Sequence, residues 1–161
     1  MSKLLHIAAL ATLLLSTMAC SDDSCNGNGS SLPLATFYVG NNQQSISALS
    51  IKGIGVPGDS LLASGTTLSE VYLPLRATTG STSYALWRTA ADGTVTVSDT
   101  LTLTYKAVEY FHSIECGTMY NFDIQSINST THGIDSVVLL TPLITNSRTP
   151  ALRIHFAAST P

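Results

Sequence analysis

The densest group of reactive side chains is His112-Ser113-Ile114-Glu115-Cys116. Histidine, glutamate and cysteine all bind zinc, and His132 or His155 could complete such a site. The spacing matches none of the dependable zinc patterns, and a disulfide at Cys116 would remove its thiolate. The cluster therefore reads as a strand end or turn without metal. Serine hydrolysis needs a nucleophile on a strained elbow with a base in reach. Serines are plentiful, yet no G-x-S-x-G occurs. Glu109 and Glu115 are close in sequence, but only a fold could bring them to the separation that glycoside hydrolysis requires. Gly53-Ile54-Gly55 lacks the third glycine and following helix of a dinucleotide loop, and reads as a bulge or strand end. The expectation is a protein with no catalytic set, no metal site and no cofactor.

The other chemistry-bearing residue lies near the start. Cys20 follows Lys3, an apolar run from Ile7 to Leu15, and the small-residue approach Ser16-Thr17-Met18-Ala19. A basic start, a short hydrophobic core and a small residue at the cut describe a secretory signal, and the run is too short for a stable transmembrane helix. A cysteine directly after the cut resembles the lipobox of bacterial lipoproteins, with Thr17 where that pattern usually has Leu. The expected division is a signal peptide over 1–19, a lipidated flexible tether over 20–32 and one domain over 33–161. The tether, SDDSCNGNGSSL after Cys20, is polar and has little to bury.

Lipidation of Cys20 would leave two thiols, Cys25 and Cys116, in an oxidising compartment. Either they pair, closing a long loop that contributes about 4–5 kcal/mol in the chain-entropy picture, or both stay free with Cys116 buried. The net charge of −3 becomes one unit more acidic once Lys3 is removed. No basic stripe is present to neutralise phosphates, which argues against nucleic acid. No polybasic segment is present either, so membrane attachment would rest on the acyl chains. Charged residues make up only 11% of the chain, leaving hydroxyls to cover the surface, as in β-rich extracytoplasmic proteins.

After Pro33 the chain reads as short alternating runs between turn residues. Phe37 and Val39 share a face, as do Leu49 and Ile51. Val71, Leu73 and Leu75 alternate around Pro74, which suggests an edge strand. Asp92-Gly93 is a strong hairpin turn signal. Val95, Val97, Leu101, Leu103 and Tyr105 alternate with threonines in the clearest period-two run. Tyr120, Phe122 and Ile124 form another run, Val137–Leu140 reads as a strand buried on both faces, and Leu152, Ile154 and Phe156 oppose Arg153 and His155. Roughly seven to nine strands at about 8–15-residue spacing predict an all-β fold: a single antiparallel β-sandwich, Ig-like or related, with a small β-barrel as the alternative.

Cys20-x4-Cys25, Ile51-Lys-Gly-Ile-Gly55, Asp99-Thr-Leu-Thr-Leu-Thr-Tyr105, Glu115-Cys-Gly117 and Asp135-Ser-Val-Val138 occur in that order. Together they resemble an uncharacterised family of small envelope lipoproteins from Bacteroidetes. The resemblance implies an anchored envelope protein, with Cys20 at the acylated position and Cys25 and Cys116 at the other two cysteines; it implies no catalytic residues. Ser21-Asp22-Asp23 resembles the acidic surface-export tether of such lipoproteins, and reads equally as a solvated linker. Asp59-Ser60-Leu61, Asp99-Thr100-Leu101 and Asp135-Ser136-Val137 resemble the O-glycosylation signal of that phylum, making Ser60, Thr100 and Ser136 candidate acceptors. The same triplets also start strands for reasons of turn chemistry.

The function expected is that of a lipid-anchored outer-membrane module, surface-exposed or periplasm-facing, acting on protein or glycan partners in the envelope. A glycan-binding accessory role would use Trp87 with Tyr84, or Tyr110 with Phe111, as a stacking platform. Aromatic content of 7% is modest for that, and a single Trp in a sandwich is expected in the core. The third reading is an enzyme whose site is not visible in the sequence.

Overall fold

The computed structural model describes residues 31–56, 61–114 and 116–158. Among them are eleven strands in two sheets: β1 (Leu34–Val39), β2 (Asn42–Gln43), β3 (Ile46–Ile54), β4 (Leu61–Leu68), β5 (Glu70–Tyr72), β6 (Ser81–Thr89), β7 (Val95–Ser113), β8 (Gly117–Ser129), β9 (Ile134–Leu139), β10 (Leu143–Ile144) and β11 (Pro150–Phe156). One sheet runs β2-β1-β11-β9, with β5 also on β1; the other runs β10-β8-β7-β6-β3-β4. The fold is an all-β sandwich. Its ladders are antiparallel except β1–β11, where the last strand returns parallel to the first.

The core follows from period-two alternation. On β7, Leu101, Leu103 and Tyr105 are buried while the threonines between them face outward. On β11, Ala151, Leu152, Ile154 and Phe156 are buried, with Arg153 and His155 on the other face. Phe37 packs edge-on against Phe156 at 5.5 Å, joining β1 to β11 in the core. Asp92-Gly93 makes the β6–β7 turn: Gly93 has φ +85°, and the Asp92 carboxylate accepts from the Thr94 amide and hydroxyl. Only glycine adopts that φ without strain.

Two tyrosines fix the connector between β5 and β6. Tyr84 donates to the Pro74 carbonyl, and burial pushes its hydroxyl pKa up. Tyr105 Oη accepts from the Arg76 amide and donates to the Arg76 carbonyl, both at 2.9 Å, with Thr82 Oγ1 at 2.6 Å. Pro74 thus lies beyond β5, in a pinned connector, rather than within an edge strand.

Two further expectations need correction. The Val137–Leu140 run is not buried on both faces. β9 is the edge of its sheet; Val137 and Leu139 pack on the core, while Val138 and Leu140 are exposed. An apolar run shows that one face is covered and is silent on the second. Trp87 is absent from the core, because it is out of phase with buried Tyr84 and Leu86 on β6.

β7 outruns its neighbours. β6 pairs with it only as far as Thr104, and the Tyr105 amide donates to Gly80. From Lys106 to Ser113, β7 pairs with β8 alone among the described residues, and beyond Ala107, past the β10 pairing on β8, the two form a two-stranded arm.

Candidate functional site

The strongest polar feature lies near the start of β7. Asp99 is in phase with Leu101 and Leu103 and is buried with them. Its Oδ1 accepts from Thr130 Oγ1 at 2.7 Å and the His132 amide at 2.8 Å. Oδ2 accepts from the Gly133 amide at 2.7 Å and the Ile134 amide at 2.9 Å. Thr130 closes the knot: its hydroxyl takes the Thr100 amide, and its own amide donates to the Thr100 carbonyl. One carboxylate therefore ties the β8–β9 turn to β7. Burial works to raise its pKa, but the hydrogen bonds from Thr130, His132, Gly133 and Ile134 outweigh it and hold the carboxyl below the usual range.

Beside the knot, the end of the sandwich opens as a cleft of about 380 Å³. Leu49, Leu86, Val97 and Phe156 line it with apolar surface; Arg88, Thr96 and His132 also line it. His132 is 70% exposed, with Nδ1 3.3 Å from Asp99 Oδ1. Gly133 reaches the floor only because it lacks a side chain, since a Cβ there would lie 2.3 Å from Val97 Cγ1. The arrangement can take an apolar group, with a cation and an imidazole near it. As an ion with both oxygens engaged, Asp99 is a poor proton acceptor.

A family model matches residues 48–156, from within β3 to the end of β11, and its description is a family of unknown function, DUF6452. The chain belongs to this family. The matched span includes the Asp99 knot, most of the cleft lining and the whole arm, and leaves out β1 and β2. No curated protein and no solved structure matches the chain significantly.

The residues singled out by the sequence are dispersed. Cys20, Cys25, Ser60 and Glu115 lie outside the described residues. Cys116 is disulfide-bonded, at the β7–β8 turn where the His112–Cys116 cluster falls. The three histidines of the domain sit apart. His112 is near the tip of the arm, His132 is at the cleft, and His155 on β11 meets the Gly40 carbonyl at 3.0 Å and stacks near Tyr38 at 5.3 Å. Among the described residues, no three of His, Cys, Asp and Glu gather as a metal-sized group.

Both aromatic pairs proposed as sugar platforms are split by strand geometry. Tyr84 and Trp87, like Tyr110 and Phe111, project from opposite faces of their strands, because side chains alternate. Thr100 sits inside a paired ladder, whereas Ser136 is exposed on edge strand β9. In the sequence Asp99 stands out only as the first residue of the Asp99–Tyr105 motif and of an acceptor triplet, neither of which marks it as a site residue. The available signal was its parity, a charge on the core-facing side of an alternating strand.

Proposed function

We propose that the protein is a lipid-anchored module of a bacterial envelope, of the Bacteroidetes type, which acts by binding through the cleft beside Asp99. The supporting observation is the composition of that cleft. It is walled by apolar side chains, and the one carboxylate in its lining is fully engaged in holding the turn. A pocket of this kind suits an apolar side chain or small ligand bearing an acceptor for Arg88 or His132. The signal sequence and Cys20 support outer-membrane anchoring through acyl chains, and Cys25 pairs with Cys116 in this reading. The domain faces the periplasm or the exterior, and its partner is another protein or glycan of the envelope. Among the acceptor triplets, Ser136 best suits a glycan, since it is exposed on an edge strand.

The test is a photo-crosslinking residue at exposed Thr96 in living cells, with and without Ala158→Trp to fill the cleft. Both positions are exposed, so the core stays intact. A discrete adduct that disappears on filling is the expected result. Adducts indifferent to Ala158→Trp would sink the cleft as the binding face. The anchor is tested separately, by incorporation of an alkyne fatty acid in the parent and its loss in Cys20→Ala. Protease shaving of intact cells then decides which side the domain faces.

A further inference from the structure

The arm presents apolar surface where the chain from the anchor arrives. Phe111 is 68% exposed and Ile114 88% exposed, with Val108 exposed further down. Tyr120, on the face of Phe111, and Tyr110, on the face of Val108, are half-buried, each with its hydroxyl on a neighbour: Tyr110 on Met119 Sδ at 3.9 Å, Tyr120 on Glu109 at 3.4 Å. Apolar tips flanked by tyrosines suit a membrane interface, where the ring is buried and the hydroxyl stays wet.

Two observations bring the N-terminal chain to this arm. Ser31 donates to Asn121 Oδ1 at 2.8 Å, and Leu32 shares a groove with Thr118, Met119 and Tyr120, so the first described residues lie along β8. Cys116 is disulfide-bonded at the tip, and the only other cysteines are Cys20 and Cys25. With Cys20 acylated, the partner is Cys25. The five chain steps from Cys20 to Cys25 span at most about 17 Å. With about 6 Å more across the disulfide, the tip is tied within about 23 Å of the residue that carries the acyl chains.

From this juxtaposition we infer that the β7–β8 tip, through Phe111 and Ile114, rests in the headgroup region of the bilayer and sets the orientation of the domain. The inference rests on the anchor of the proposed function. It adds a second contact that restricts tumbling about the tether and turns one end of β7 to the lipid. The cleft, near the other end of the same strand, then faces away from the membrane.

The test uses the mature chain purified from cell envelopes, its acyl groups weighed by mass spectrometry, in phosphatidylethanolamine–phosphatidylglycerol vesicles. Native Trp87 is replaced by Phe, and Phe111→Trp supplies the only indole. Its emission is read with lipids carrying a quencher near the headgroup, and co-sedimentation is scored on the same samples. The expected result is blue-shifted emission and strong quenching for Phe111→Trp, with native Trp87 in the parent chain unquenched. Unquenched emission from a chain that still co-sediments overturns the inference and leaves the anchor standing. Equal quenching at Trp87 overturns it too, by showing no preferred face. A chain without acyl mass that stays in the supernatant overturns the anchor, and this orientation with it. Ile114→Trp in the Trp87→Phe chain repeats the reading at a second exposed position.

Discussion

Near its beginning, strand β7 holds a buried carboxylate with both oxygens engaged by four donors; near its end it presents Phe111 to solvent, with Ile114 just beyond. The Asp99 end lies between β6 and the β8–β9 turn, and that turn supplies the donors that satisfy the buried carboxylate. Along the arm β7 has lost β6, and among the described residues it pairs with β8 alone. The same alternating strand thus serves stability at one end and exposed surface at the other. The difference comes from which neighbours reach it.

The most forceful way to break this contrast is Asp99→Ala. It strands four donors at once, three of them backbone amides, and should cost about 3–4 kcal/mol in urea or thermal unfolding. A loss below about 1 kcal/mol would mean that water replaces the carboxylate and that the knot is dispensable.

Asp99→Asn sharpens the point through pH. The folded-state pKa lies below the ordinary value near 3.9, so the ionised form contributes stability that is fully present above that value. That contribution is lost as pH falls through the folded-state pKa. Asparagine does not titrate, so the stability gap between parent and variant should be widest near neutrality, at about 2 kcal/mol, and close below about pH 4. A gap independent of pH would assign the effect to shape rather than charge. Repeating the series with His132→Gln separates the carboxyl from the imidazole 3.3 Å away.

Gly133→Ala probes how tightly the turn is drawn down. The added methyl meets Val97 Cγ1 at 2.3 Å, an overpacking that should cost about 1–3 kcal/mol. Val97 is β-branched and stiff at χ1, so it cannot simply rotate away. The double variant with Val97→Ala should recover part of the loss. Strict additivity would place the strain elsewhere.

The sandwich was legible where local chemistry and periodicity agree. Leu101, Leu103 and Tyr105 against threonines marked the strand, and Asp92-Gly93 marked the turn before it. The knot was less legible because its donors come from residues 130–134, more than thirty positions from Asp99, and no spacing rule links them. The arm was hidden for a related reason. The alternation of apolar and polar residues breaks at Val108 and Glu109, a break that reads equally as the end of the strand, and only the length of β6 shows that the strand runs on and its neighbour has ended.

The smallest stability effect should come from Phe111→Ser with Ile114→Ser. Neither side chain belongs to the core cluster, whereas Phe122 and half-buried Ala107 at the base of the arm do pack there, with Tyr105 edge-on to Phe122 at 5.2 Å. Exposed side chains away from packing normally change stability by within about 0.5 kcal/mol, and the disulfide at Cys116 constrains the tip in both forms. The melting curves of parent and double variant should therefore superimpose in detergent-free buffer, for a chain lacking the acyl group. A loss above about 1 kcal/mol would show the tip packed on something in solution. If that loss varied with protein concentration, the something would be a second copy of the chain. Superimposed curves would make the two ends of β7 energetically independent, leaving the exposed apolar tip without a stability role that could account for it.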